Sequence, residues 1–302
     1  MPYFPSYDGA ALHYRVLGAE GHGRGRPPLL CLAGGPARDA AYLGDLGGLS
    51  AHRPLIVPDA RGTGHSERAD ASPAAADPAG YAFPRLADDL EALRDHLGLD
   101  RFALLAHDAA AATAQAYAAA HPDRLSHLVL LNPGSRLQGQ LPEDARQILA
   151  ARAAETPEDA ERWQDVHTAV RQLKNATDLA EVRQLLLRAA PMAYAHWRAP
   201  QRAHAATEGD QLNPVPRAGF WQGVDEPTRT EILNGLTKVD APVLIVTGTL
   251  DAVTGVRAGD AVAASFPHSP RVHHHALPGA GHYPWVDAPG SLVRLVVDFL
   301  RE

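Results

Sequence analysis

The chain has 302 residues, 45% of them hydrophobic, and a formal net charge of -7 with no long block of one sign. That length suits one α/β core with an insertion, and the charge gives no basis for a nucleic-acid or membrane-surface partner. The single cysteine, Cys31, excludes an intramolecular disulfide, residues 1–9 carry no signal-peptide pattern, and no apolar run is long enough for a bilayer. The expectation is a cytoplasmic protein that acts on a small molecule. Nothing in the composition argues against a homodimer.

In chain order, short apolar runs predict strands at residues 12–17, 28–32, 54–57, 102–106, 125–131, 242–246 and 272–277. The central runs are almost continuously apolar, the pattern of a parallel sheet covered on both faces. Helical patterns alternate with them. Leu86, Leu90, Leu93 and Leu97 recur at helical spacing with Asp88, Asp89 and Glu91 on the other side. Residues 109–120 are alanine-rich, and Leu292, Leu295, Val296 and Phe299 form the stripe of a last helix. This alternation predicts a doubly wound, mostly parallel α/β sheet. Residues 135–237 break the rhythm: charged helical patterns at 143–154, 157–175, 179–190 and 200–208 predict a helical cap inserted over the sheet. The core is then 1–134 with 238–302. Stretches 18–28 and 70–80 read as Gly/Pro/Ala-rich surface loops.

Chemistry-bearing residues collect where predicted strands end. In FALLAHDAAAATAQA, from Phe102 to Ala116, a strand runs into a helix through His107-Asp108-Ala109. Ala106 and Ala110, two residues to either side of Asp108, are small enough for a sharp strand-to-helix turn. Such a turn lifts its central side chain above the sheet and aims the following N–H groups at whatever that side chain holds. The strand in LIVTGTLD presents Asp251, and LPGAGHYPW places His282 just after the last strand. Ala33-Gly34-Gly35-Pro36 follows the strand at 28–32, and Asp59-Ala60-Arg61-Gly62-Thr63-Gly64-His65-Ser66 the next one. Taken singly, Asp108 also suits a helix N-cap and Asp251 a turn.

Taken together and in this order, these segments resemble the α/β-hydrolase fold superfamily. The resemblance implies nucleophile Asp108, acid Asp251 and base His282, with the N–H groups of Gly35 and Ala109 as oxyanion donors. The Asp59–Ser66 stretch resembles a loop read as structural. The elbow departs from the usual Gly-x-Ser-x-Gly: both glycines are alanine, and aspartate replaces serine. Ala33 and Ala37 likewise stand where the longer His-Gly-Gly-Pro-Gly pattern has histidine and glycine.

An ionised aspartate suits attack on an sp³ carbon bearing a leaving group, giving an alkyl ester that water then cleaves. That is the scheme of the epoxide hydrolase and haloalkane dehalogenase branches, which the Asp108 position resembles. Ala109 cannot supply the halide-binding tryptophan of dehalogenases, so epoxide opening is the first expectation. Gly34-Gly35-Pro36, Ala195-His196-Trp197 and Gly281-His282-Tyr283-Pro284-Trp285 lean instead toward serine-type, proline-iminopeptidase-like hydrolases, with Asp108 in place of a serine. A non-hydrolytic enzyme or a binding protein on the same fold is a third reading. Gly34 and His107 beside the elbow, and Trp163, Tyr194, Trp197 and Trp221 in the cap, are the candidates for contacting substrate; packing would explain each cap aromatic as well. No metal, nucleotide or flavin is implied: His273, His274 and His275 alternate along a strand and cannot converge on one ion, and no phosphate-binding glycine loop is present.

Overall fold

In the computed structural model, which describes residues 2–18, 25–66, 78–140, 144–155 and 159–301, eight strands form one sheet. They are β1 (Tyr3–Pro5), β2 (Ala11–Leu17), β3 (Leu29–Leu32), β4 (Leu55–Pro58), β5 (Phe102–His107), β6 (Leu125–Leu131), β7 (Val243–Gly248) and β8 (Val272–Leu277). Their spatial order is β1-β2-β4-β3-β5-β6-β7-β8. β1 and β2 run antiparallel at one edge, and β3 to β8 are mutually parallel. The doubly wound α/β sheet expected from the sequence is present. β1 is the strand the sequence did not reveal, because three residues with a terminal proline carry no periodicity.

Each central strand feeds two cores. On β5, Phe102, Leu104 and Ala106 face one core while Ala103 and Leu105 face the other; Leu128 and Leu130 of β6 oppose Val129 and Leu131 in the same way. The apolar runs are continuous because both faces are covered. Helices α1 (Phe83–His96) and α2 (Ala110–Ala120) cover one face. On α1, Phe83, Ala87, Leu90 and Leu93 turn inward, and Pro84 sits in its first turn, where the missing N–H costs nothing. On the other face lies the last helix, α12 (Pro289–Phe299), through Leu292, Val296 and Phe299.

The stretch between β6 and β7 is helical: α3 (Asp144–Glu155), α4 (Ala160–Leu173), α5 (Leu179–Ala189), α6 (Ala199–Ala206), α7 (Glu208–Gln211), α8 (Pro214–Gly219) and α9 (Glu226–Leu236). Of the positions read as helical or loop, 19–24, 70–77, Glu143, Pro157 and Glu158 lie outside the described residues. α9 falls within 135–237 yet packs on the core: Ile232 and Leu236 join the α1–α2 face, and Gly235 lies so close to Ala119 that a β-carbon there would sit 2.7 Å from its methyl. Helices α10 (Arg257–Ala263) and α11 (Pro284–Asp287) complete the core. Among the described residues no helix is long and apolar enough to cross a membrane.

Candidate active site

Strand ends bring the polar residues together. Asp108 follows β5 with φ at 52°, a left-handed conformation that aspartate tolerates better than most side chains. The turn is closed from outside by Gly34. A β-carbon there would lie 2.3 Å from the His107 carbonyl oxygen and 2.9 Å from Asp108 Cβ. Only glycine lets the β3 loop approach the elbow this closely. The Gly35 N–H then donates to Asp108 Oδ2 at 2.9 Å. The Gly34 N–H is turned away and donates to the Tyr42 hydroxyl at 2.8 Å.

Asp251, beyond β7, is fully buried. Its Oδ1 accepts from the Val253 and Thr254 N–H groups at 2.8 and 3.2 Å. Its Oδ2 accepts from Thr254 Oγ1 and Asn132 Nδ2, both at 2.6 Å, and from His282 Nδ1 at 3.0 Å. Burial alone would raise this carboxyl, but the His282 charge and these hydrogen bonds outweigh it and hold Asp251 below its ordinary range. An ionised Asp251 only accepts, so His282 Nδ1 carries a proton and Nε2 faces Asp108, 3.7 Å from Oδ1. Burial pushes His282 down; the charge and hydrogen bond of Asp251, then the charge of Asp108, reverse that and raise it. The expected trio is thus one contiguous array.

His107 is buried beside it, and its partners fix its tautomer. The His282 carbonyl can only accept, so His107 Nε2–H donates to it at 2.9 Å. Nδ1 must then accept from the Tyr42 hydroxyl at 2.7 Å, whose oxygen receives the Gly34 N–H. Burial holds His107 well below its ordinary pKa, in the neutral form this chain requires. His107 and Gly34, read as substrate contacts, therefore meet each other's loops: a directional chain joins the glycine loop to the histidine loop through Tyr42.

The cap aromatics are not gathered at Asp108. Tyr194 is 1% exposed, and its hydroxyl bonds His204 Nδ1 at 2.7 Å while His204 Nε2 bonds the Tyr42 carbonyl at 2.9 Å. Trp163 and Trp197 line a cleft of about 370 Å³ within the helical layer, with Arg152, Arg162 and His196. Trp221 packs edge-on against Phe83 beneath the Arg136 guanidinium. His274, one of the strand histidines, bonds Thr247 and Asp260 at 2.8 and 2.7 Å.

The sequence reading missed Tyr42, Asn132, Thr254 and Arg38. Asn132 had a signal: it ends β6, and it takes a positive φ of 45° that lets its amide reach Asp251. Tyr42 and Arg38 had none, because their partners are distant in sequence. Buried Arg38 stacks over the Tyr42 ring at 4.4 Å and donates to Tyr283, Gln211 and Thr207. The Asp59–Ser66 loop is internally tied, with Asp59 Oδ2 accepting from His13 and the His65 N–H, and with Arg61 bound to Asp89 and Asp8.

Comparison with known proteins bears on the fold and the family. A 134-residue stretch is 34% identical to a cis-3-alkyl-4-alkyloxetan-2-one decarboxylase of Shewanella oneidensis, covering 44% of this chain and 39% of that protein. Another, of 125 residues, is 33% identical to a proposed carbamate hydrolase, RutD, of Caulobacter vibrioides, over 41% of this chain and 43% of that one. The chain thus matches less than half the length of these curated relatives. The esterase RhEst1 from Rhodococcus sp. ECU1013 shares the fold at TM-score 0.72 and 24% identity, over 100% of this chain and 98% of that one. The proline iminopeptidase of Mycobacterium smegmatis shares it at 0.69 and 22%, over 99% and 97%. The family model for the alpha/beta hydrolase fold matches residues 27–289, and this chain belongs to that family.

Proposed function

We propose that this hydrolase-family enzyme opens a strained C–O ring by attack of Asp108 on an sp³ ring carbon. The observation that carries the reading is the carboxylate itself. Asp108 Oδ2 is held by the Gly35 N–H and Oδ1 is left facing the His282 side. Oδ1 would attack, and Oδ2 would become the carbonyl oxygen of the alkyl ester, already seated where an oxyanion must be stabilised. A carboxylate attacking a carbonyl would give an anhydride instead, which favours the alkyl reading over acyl transfer.

With an epoxide, the ring oxygen leaves as an alkoxide and needs a proton. The Tyr194 hydroxyl is committed to His204, so we assign the proton to His282, which the neighbouring carboxylates hold as imidazolium. Ester formation removes the charge of Asp108, one of the causes that raise His282. The ring then becomes a base and takes a proton from the water that attacks the ester carbonyl carbon. Gly35 and Ala109 N–H groups receive the oxyanion. Collapse passes the remaining proton of that water to the departing alkoxide, so the diol is released, the Asp108 carboxylate is restored and His282 stays imidazolium.

The Shewanella relative supports a second substrate for the same first step. Its name specifies a four-membered cyclic ester and loss of carbon dioxide. Attack of Asp108 on the ring carbon bearing the ester oxygen would free a carboxylate, which needs no acid. Breaking the bond to that carboxylate would release carbon dioxide, form the alkene and return the bonding pair of the ester C–O bond to Asp108. No water is consumed. Single turnover in ¹⁸O-water, with mass analysis of the Asp108 peptide, tests the proposal. An epoxide should leave label in the Asp108 carboxylate, whereas an oxetan-2-one should give carbon dioxide and alkene with Asp108 unlabelled. Diol formation with an unlabelled Asp108 would mean direct attack by water and would overturn the ester mechanism.

A further inference from the structure

One cation of the cap is fastened to the glycine loop that holds Asp108. Asp39 N–H donates to the Gln211 carbonyl at 2.9 Å, Arg38 and Leu212 form an antiparallel bridge, and Asn213 N–H donates to the Ala37 carbonyl at 3.1 Å. Asn213 Nδ2 adds a bond to the Gly62 carbonyl at 2.6 Å, while its Oδ1 caps α8 through the Val215 N–H. These bonds fix α8 against the loop. From its last turn Arg217 lays its guanidinium on the Gly35 carbonyl. Gly35 therefore contacts Asp108 through its N–H and Arg217 through its C=O.

Arg217 differs from the other arginine of this loop. Arg38 is buried and divides its donors among Gln211, Tyr283 and Thr207. Arg217 is exposed, and among the described residues no carboxylate pairs with it. A guanidinium has five N–H donors in a planar fork that matches a carboxylate, so its bond to the carbonyl of Gly35, the residue whose N–H holds Asp108, leaves most of its donor capacity uncommitted. Asp108 and Asp251 both face His282, in a chain of net charge -7, so a second anion at the site would need a cation of its own.

We propose that Arg217 is a carboxylate-binding residue, and that the substrate carries or releases a carboxylate next to the carbon attacked by Asp108. This rests on the ring-opening reading and narrows it: ring acids, or cyclic esters that open to acids, are selected over neutral rings.

The test uses a ring that cannot react. Binding of 2-methylcyclopropane-1-carboxylate and of its carboxamide is measured by calorimetry in the whole protein, in Arg217→Gln and in Arg217→Lys. The unaltered protein should prefer the carboxylate by about tenfold or more, the preference should collapse in Arg217→Gln, and part of it should survive in Arg217→Lys. No preference in the unaltered protein, including no binding of either compound, overturns the proposal, as does a preference that Arg217→Gln retains. If Arg217→Gln does not fold, the unaltered protein decides alone: a preference that does not weaken with rising ionic strength is not carried by an exposed cation. Because the probe has no leaving oxygen, the binding result is read independently of the isotope experiment, so failure of the carboxylate assignment is distinguishable from failure of the ring-opening reading on which it rests.

Discussion

Around Asp251 the core over-determines one geometry, whereas the helical layer above it is packed through small, separate contacts. The Asp251 carboxylate is buried and takes hydrogen bonds from Asn132 after β6, from its own loop and from His282 after β8. In the layer, α4 and α5 meet through limited clusters around Trp163, Val166, Ala169 and Leu185, and Leu179 and Leu187 stay exposed. Strand ends are rigid because both faces of the sheet are covered, so they can hold charges at fixed separations. Helices that bury one narrow stripe can shift without breaking the core. Changes in the two regions should therefore differ in kind: rate in the first, stability or substrate range in the second.

The largest effect is expected at His282. In the proposed scheme His282→Gln removes the proton donor of ring opening and the base of ester cleavage, so epoxide turnover should fall by about 10⁴-fold or more. Decarboxylation of an oxetan-2-one needs neither proton transfer and should fall by less than about tenfold. Equal losses on both substrates, in a protein with unchanged Tm, would show that His282 serves the attack of Asp108 itself.

Asp251→Asn comes next. Asparagine can offer its amide in place of an acceptor and so turn His282 to the wrong tautomer, a change that costs about 10³- to 10⁴-fold where it has been isolated in comparable triads. The pair also links stability to pH. Asp251 is held to about 2, below its ordinary value, so its contribution is present above the unfolded carboxyl range near pH 4 and is lost as pH falls toward 2. His282 is raised to about 9, so its contribution is full below the unfolded histidine value near 6.5 and is lost as pH rises toward 9. Chemical denaturation across these windows should show both limbs in the unaltered protein and a diminished pair in Asp251→Asn. A flat profile would mean that the array is not stabilised by its charges.

The sheet and the array of Asp108, Asp251 and His282 were legible because their signals are local. A strand covered on both faces writes an apolar run, and the sharp turns of LIVTGTLD, LPGAGHYPW and the elbow sit directly at the strand ends. Tyr42 and Asn132 were not legible as parts of the site, since their partners Gly34, His107 and Asp251 meet them only once the sheet is wound. Tyr194 was legible only as an alternative, substrate contact or packing, and its burial against His204 and Tyr283 favours packing. That α9, within 135–237, packs on the core was illegible for a similar cause. The amphipathic pattern of α9 does not say whether its stripe meets other cap helices or α2.

Tyr42→Phe should act at an intermediate level. It keeps the ring between Arg38, Tyr283 and Trp285 but removes the hydroxyl that joins the Gly34 N–H to His107. Two buried groups lose a partner, at a cost of about 1–3 kcal/mol in stability. Turnover should fall by about tenfold through loss of alignment between the glycine and histidine loops. His107→Gln can preserve the chain, with its amide donating to the His282 carbonyl and its oxygen accepting from Tyr42, and should lose less than His107→Leu. If all three variants lose stability alike and no activity, the chain only holds the fold.

The smallest effect on chemistry is expected from Trp163→Leu in the helical layer. Trp163 packs with Leu149 and Val166, and the Arg152 guanidinium lies 4.9 Å from its ring centre. Loss of that cation–aromatic contact and of some buried area should cost about 1–2 kcal/mol, read as a lower Tm, while turnover stays within about threefold. Two contacts join the neighbourhood of Trp163 to that of Asp251: Arg152 donates to the carbonyls of Leu250, Met192 and Tyr194, and Ala252 belongs to the same apolar cluster as Trp163. Were turnover to fall more than about tenfold in a folded Trp163→Leu protein, Arg152 through Leu250, or Ala252, would carry the change to Asp251. The helical layer would then share in setting the Asp251 geometry that the strand ends otherwise fix.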